Sequence, residues 1–291
     1  MRHGGKQRHR LAEEGFIVCG RYARRSEKQK IAELFAIHGP VIPDFGPSWN
    51  VAPQTFQPVV RLNRDAGARE IVLMRWGLIP YWAKDPSIGL RTINAKAKTI
   101  TTAPAFREAI KYRRCLVPAD AFYEWQKLDP KTKQPFAIAM KDREPYALAG
   151  LWEKWKDRKA GTDLLTFTVI TTDPNEVVQP LHDRMPVIIP ERDYGRWLDV
   201  SDTERLPLDL LRPFDADKMT AWKVDKAVGN VKNDSPDLLR PDNVIEMPKP
   251  WTEEELKELW VLEGMDARGE FDPPPPRKKR PPKPENMKLD F

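Results

Sequence analysis

The sequence predicts an α+β fold rather than a wound parallel sheet. Short apolar or alternating runs recur between turn residues, helical patterns are few and short, and strands do not alternate with long helices as βαβ units require. Residues 1–18 form a polar leader without periodicity. Ser26 is placed to cap a helix in which Ile31, Leu34, Phe35 and Ile37 share a face, stopped by Gly39-Pro40.

Trp49-Asn50-Val51-Ala52-Pro53 reads as a loop feeding a strand from Phe56 to Leu62. Asp65-Ala66-Gly67 turns the chain into a returning strand, Glu70–Trp76. Residues 77–92 are irregular, broken by Pro80 and Pro86, and carry Tyr81-Trp82. A short helix is predicted over Pro104–Tyr112. Strands follow at Arg114–Pro118, Phe122–Lys127, Pro135–Met140, Ala147–Trp152 and Leu164–Thr172. Pro174–Leu181, a short helical or turn segment, delivers His182-Asp183-Arg184-Met185-Pro186. Val187–Ile189, a helix over Glu191–Leu198 and a strand over Thr220–Val224 close the folded part, placed at 19–240. Residues 241–291 read as a basic tail, largely disordered, with Thr252–Leu262 as an isolated helix. The run Pro273-Pro274-Pro275-Pro276-Arg277-Lys278-Lys279-Arg280 cannot pack a core.

Composition excludes several classes. The chain has 291 residues, 40% of them hydrophobic, and can bury a substantial core. A net charge of +6 favours a polyanionic partner, with a merely solvated basic surface as the plain alternative. Two cysteines make no disulfide framework and show no zinc spacing, so no metal or other cofactor is expected, and a reducing cytoplasm is the default. No apolar run approaches the roughly 20 residues of a membrane span, and the basic N-terminus lacks a signal core. No internal repeat is visible. A cytoplasmic monomer is expected.

Among reactive groups, Cys19 stands in Val18-Cys19-Gly20-Arg21-Tyr22. It is either an inert buried thiol or, with Arg21, Arg24 and Arg25 close by, a thiolate. Cys115, in Cys115-Leu116-Val117-Pro118, reads as core. Of four histidines, His3 and His9 fall in the leader and His38 ends a helix, where the dipole accounts for it. His182 lies in a loop flanked by Asp183 and Arg184, a setting suited to acid–base work. Glu124, between Tyr123 and Trp125, is either a surface residue or a carboxylate desolvated by aromatic neighbours. Trp82, Lys96, Lys98, Arg107 and Arg184 could line a groove in which cations hold phosphates and a ring stacks a base, or be scattered surface residues.

Taken in order, these motifs resemble the SRAP family, the SOS response-associated peptidases, also described as abasic-site processing proteins. The resemblance rests on the Cys19–Tyr22 and Trp49–Pro53 stretches, Trp76-Gly77-Leu78-Ile79-Pro80-Tyr81-Trp82, Ile93-Asn94-Ala95-Lys96-Ala97, the run from Arg114 to Trp125, His182–Pro186, and Val228-Gly229-Asn230. It implies one α+β domain on a barrel-like set of strands with a groove for single-stranded DNA. It also implies that Cys19, as mature N-terminal residue, captures the aldehyde of an abasic site: its amine forms an imine and its thiol closes a thiazolidine. Catalytic roles would fall on Cys19, Asn94 (orienting the amine or sugar), Glu124 (moving protons) and His182 (opening the sugar). Lys96 and Arg184 would hold phosphates, Trp82 and Pro53 would abut bases, and Thr171 would support the DNA-binding site.

Two departures stand out. Lysine at 96 replaces the family's usual arginine and cannot bind phosphate bidentately, and Lys98 stands where glutamate is common. Thiazolidine chemistry also requires a free amine on Cys19. Either translation starts at Val18, with the initiator methionine then removed, or a genuine leader is cleaved. Two other readings compete: a thiol peptidase acting on its own N-terminus with Cys19 as nucleophile, and a non-covalent single-strand binder indifferent to the lesion.

Overall fold

The structure, a computed structural model, describes residues 19–38, 42–129 and 131–241. The 1–18 leader, the tail beyond Pro241 and the Thr252–Leu262 segment lie outside the described residues. In chain order the strands are β1 (Tyr22–Arg24), β2 (Ser48–Val51), β3 (Phe56–Asn63), β4 (Ala68–Trp76), β5 (Asn94–Lys96), β6 (Arg114–Ala119) and β7 (Ala121–Lys127). They continue as β8 (Lys133–Met140), β9 (Tyr146–Asp157), β10 (Thr162–Thr172), β11 (Met185–Pro186), β12 (Ile188–Ile189) and β13 (Met219–Lys223). The helices are α1 (Lys28–Leu34), α2 (Ala109–Tyr112) and α3 (Tyr194–Leu198).

The fold is α+β, as the sequence predicts. Strands β10, β4, β3, β6 and β9 pair in that order, and β9 returns to β10, so the ring closes into a barrel. The β3–β4 hairpin forms for a local reason: Asn63 Oδ1 accepts from the Asp65 and Ala66 N–H groups, and Gly67 takes φ 62°. A second sheet, ordered β13-β8-β7-β1-β2, is antiparallel throughout. The apolar runs without alternation reflect burial of the barrel strands on both faces. Val59, Cys115 and Val117 pack with Tyr22, Phe122 and Ile138 of the second sheet. Val60 and Leu116 face the opposite way, against Ile31, Phe35 and Trp197 of the helical layer.

Strand β10 changes partners midway. Its Thr166 and Phe167 pair in parallel with Arg75 and Trp76 of β4, whereas Val169–Thr171 pair with Asn94–Lys96 of β5. Between β4 and β5 the chain makes the 77–93 excursion, whose two ends are tied together as Trp76 Nε1 donates to Ile93 O (2.8 Å). Gly77 has φ 120°, and a Cβ there would lie 2.4 Å from Gly89 O, so the Trp76-Gly77-Leu78 corner requires glycine.

Several expectations are corrected. Trp49–Val51 lies within strand β2 rather than a loop, while β1 and β5 are strands that periodicity did not reveal. Three or four residues carry too little pattern, and tertiary pairing decides them. Ser26 does not cap α1: its hydroxyl and amide both bond to Asp120, at 2.6 and 3.0 Å. The helix ends at Leu34, and Ala36 at φ 50° breaks it, so His38 lies beyond its terminus. The helix over Pro104–Tyr112 contracts to Ala109–Tyr112.

Candidate active site

Strand β1 carries the Cys19 segment to β7. Tyr22 pairs with Phe122, Ala23 with Ala121, and the Tyr123 amide donates to Arg21 O (3.0 Å). Continuing that register brings the chain before Arg21 alongside Glu124. Because Phe122 faces the core shared with the barrel, Glu124, two residues on, points the same way. The Cys19 backbone N–H donates to Glu124 Oε1 at 2.6 Å, a buried contact between residues far apart in sequence. Cys19 takes the left-handed conformation, φ 45°, unusual for a residue with a side chain.

Both side chains are sealed from solvent, Cys19 at 0% and Glu124 at 2% exposure. Burial lifts the Glu124 carboxyl to about 8, and the Asp183 charge adds to the lift; the Cys19 N–H, Arg184 and the Trp125 N–H oppose it. Burial also raises the Cys19 thiol well above its ordinary value, with Glu124 adding to the effect. The arginines expected to favour a thiolate do not serve it. Arg21 donates to Asn50 Oδ1 (2.7 Å) and Val228 O (2.9 Å), Arg24 to Gly46 O, and Arg25 faces Asp120.

The end of β10 assembles a second group. Thr171 lies between Lys96 of β5 and Pro186 of β11, so the His182–Pro186 segment and the Asn94–Lys96 segment flank one strand. Thr171 is 1% exposed, which limits it to a supporting place rather than contact with DNA in this conformation. Lys96 is exposed, Asn94 half-buried, and Ile93, the residue before Asn94, shares a core with Cys19. His182 Nδ1 lies 2.7 Å from Asp183 Oδ1; burial lowers the imidazole's pKa, Asp183 raises it, and Arg184 and Lys133 lower it. Asp183 and Arg184 thus act on both His182 and Glu124, which links the two groups electrostatically.

Pro53 and Trp82 lie on flanking loops. Trp82 is 47% exposed in a loop held by Trp155 Nε1, which donates to Ala83 O (2.7 Å). Gln54, next to Pro53, ties its own loop to the 77–93 excursion by donating to Trp76 O and Gly89 O. Lys98, which stands where glutamate is common in the family, pairs with Asp173 at 2.9 Å. A cavity of about 640 Å³ between Asp225 and Pro241 holds none of these residues; the candidate chemistry sits at a closed contact, not in that hollow.

Sequence reasoning gave Asp183 no role, although its place beside His182 was a usable signal. It also missed that Val228-Gly229-Asn230 is held in place by a clamp. Asn50 Nδ2 donates to the carbonyls of Val228, Asn230 and Asn233, while Asp234 accepts from the Trp49 and Asn50 amides.

Comparison with known proteins settles the family. Residues 18–231 match the model of the SOS response associated peptidase, SRAP. The chain belongs to the SRAP family. Its SRAP domain is similar to the abasic site processing protein YoqW of Bacillus subtilis, 44% identical over 225 residues that cover 76% of this chain and 99% of the other. The abasic site processing protein HMCES of Gallus gallus is 33% identical over 227 residues, covering 68% of this chain and 67% of that one. A crystal structure of a protein from Bacteroides thetaiotaomicron superposes with a TM-score of 0.67 at 27% identity, covering 77% of this chain and all of that one. The SRAP domain is thus shared at the level of both sequence and fold.

Proposed function

We propose that this protein captures abasic sites in single-stranded DNA as a covalent thiazolidine at Cys19. The observation that carries the reading is the 2.6 Å contact between the Cys19 nitrogen and the buried Glu124 carboxyl. The names of the relatives, abasic site processing proteins, support the substrate class. The reaction needs Cys19 as first residue, its nitrogen a free amine.

With that start, the nitrogen at Glu124 is a primary amine whose ordinary pKa is about 8. Glu124, whose carboxyl meets that nitrogen at 2.6 Å and is desolvated by burial, is placed to pass a proton to and from it. The neutral amine attacks the aldehyde carbon, a C–N bond forms, and proton transfer through Glu124 expels the hydroxyl as water, leaving an imine. The Cys19 S–H then adds across C=N: sulfur bonds to carbon and the proton goes to nitrogen. Aldehyde and cysteine thus become thiazolidine plus water. His182 donates the proton that opens the closed sugar to its aldehyde, and Asn94 orients the reacting groups. Lys96 and Arg184 hold flanking phosphates, Trp82 and Pro53 abut neighbouring bases, and Thr171 supports β10 beneath them. The protein acts as a cytoplasmic monomer on nucleoid DNA. No helix among the described residues is long and apolar enough to cross a membrane.

A thiol peptidase would need an anionic sulfur, and both burial and Glu124 hold the Cys19 thiol protonated. Amine-first attack fits that environment better. The test is a denaturing gel of chain processed to Cys19 with a single-stranded abasic oligonucleotide. A shifted band, missing with intact oligonucleotide and with Cys19→Ala, is expected. No band, or an equal band from Cys19→Ala, overturns the reading, and equal salt-dependent binding of both oligonucleotides without an adduct would favour a plain binder.

A further inference from the structure

His182 and Asp183 are consecutive, yet their side chains meet. Nδ1 lies 2.7 Å from Asp183 Oδ1, with the imidazole 8% exposed and the carboxylate 76% exposed. The same Nδ1 lies 3.2 Å from the Arg184 amide nitrogen, which is placed to donate to it. One ring nitrogen cannot donate to a carboxylate and accept from an amide at once. Two heavy atoms 2.7 Å apart at a carboxylate require a proton between them, so the shorter contact fixes Nδ1 as N–H. The amide contact belongs to the other tautomer.

The backbone on either side is pinned. The His182 amide donates to Val178 O (2.9 Å), and Met185-Pro186 pairs with the end of β10. These bonds set where the ring sits but leave open which nitrogen carries the hydrogen. We propose that Asp183 is a positioning residue: its carboxylate holds the His182 Nδ1–H, so that the lone pair and the exchangeable proton of the ring belong to Nε2. The proposal rests on the reading of His182 as proton donor to the sugar, and it names what selects the tautomer that can perform that step.

The charge environment agrees with the geometry. Around His182 stand Asp183, Arg184 and Lys133 of β8; around Glu124 stand Asp183 and Arg184, with the Cys19 N–H as hydrogen-bond donor. Asp183 favours the protonated form of both His182 and Glu124, and Arg184 favours the deprotonated form of both. Removing the Asp183 charge therefore moves both titrations in one direction, toward lower pH. Loss of a hydrogen bond that merely stiffened the loop would move neither.

The experiment has two arms. In the full-length chain, long-range proton–nitrogen NMR reads the His182 tautomer and its titration, with the signal assigned by its absence in His182→Gln. In chain processed to Cys19, single-turnover adduct formation with an abasic oligonucleotide is followed against pH. Asp183→Ala, which removes both the charge and the acceptor, is expected to lose the Nδ1–H signature and to shift both limbs of the rate profile to lower pH. The rate on the alkaline side should fall about three-fold, the scale of one exposed ion pair, and Asp183→Glu should restore tautomer and profile. An unchanged tautomer, a uniform fall in rate with the profile in place, or no recovery with Asp183→Glu each overturns the proposal. If wild type forms no adduct, the function reading fails, and the NMR arm still decides the role of Asp183.

Discussion

Cys19 and Cys115 present nearly the same sulfur. Both are fully buried, both belong to one apolar cluster, and burial raises both thiols above their ordinary value. What separates them is the backbone. Cys115 sits within β6, its nitrogen and carbonyl committed to strand pairing and to Trp197 Nε1. The Cys19 nitrogen meets the Glu124 carboxyl instead. On the function proposed above, the comparison teaches that a cysteine nucleophile is to be recognised by what holds its nitrogen, since thiol burial and ionisation do not distinguish Cys19 from a packing cysteine.

The sharpest break of that comparison is substitution of each thiol. Cys19→Ala should abolish the abasic adduct, whereas Cys115→Ala should keep it and lower stability by about 1 kcal/mol, read by gel and thermal melting. Next in size is Glu124→Gln, expected to slow adduct formation about a hundred-fold. In the chain whose Cys19 nitrogen is an amide, the same variant also reports on pH. The folded pKa of about 8 exceeds the ordinary 4.5, so the contribution to stability is full below 4.5 and lost as pH rises through 8. Integrated, the loss is on the order of 4–5 kcal/mol. Denaturant titrations should show Glu124→Gln more stable than wild type at pH 8 and equal to it near pH 4.

A smaller effect tests Cys115 as packing. A Cβ on Gly150 would lie 2.9 Å from Cys115 Sγ and 3.0 Å from Thr168 O. Gly150→Ala should cost about 1–3 kcal/mol, and adding Cys115→Ala should recover part of it, a coupling that Cys19→Ala should lack. The smallest expected change is at the rim: Trp82→Ala should weaken capture about ten-fold at subsaturating DNA, through lost stacking, as read from the concentration dependence of the adduct.

The longer strands were legible because six or more residues of β-branched and apolar character leave no competing pattern. Examples are β3, β4 and β6. Strands β1, β2 and β5 were not, since three or four residues acquire strand geometry only from their neighbours. By itself the sequence determined the α+β class, the core role of Cys115 and the set of motifs that mark the SRAP family. It left open whether Cys19 was reactive or merely packed, and whether Glu124 lay at the surface or was desolvated by aromatic neighbours. Tertiary structure placed the nitrogen of one on the carboxyl of the other, because the β1–β7 register joins segments about a hundred residues apart. It also removed the arginines from the thiol and brought Asp183 to His182. Charge states depend on burial and distance, and neither is written in the order of residues along a chain.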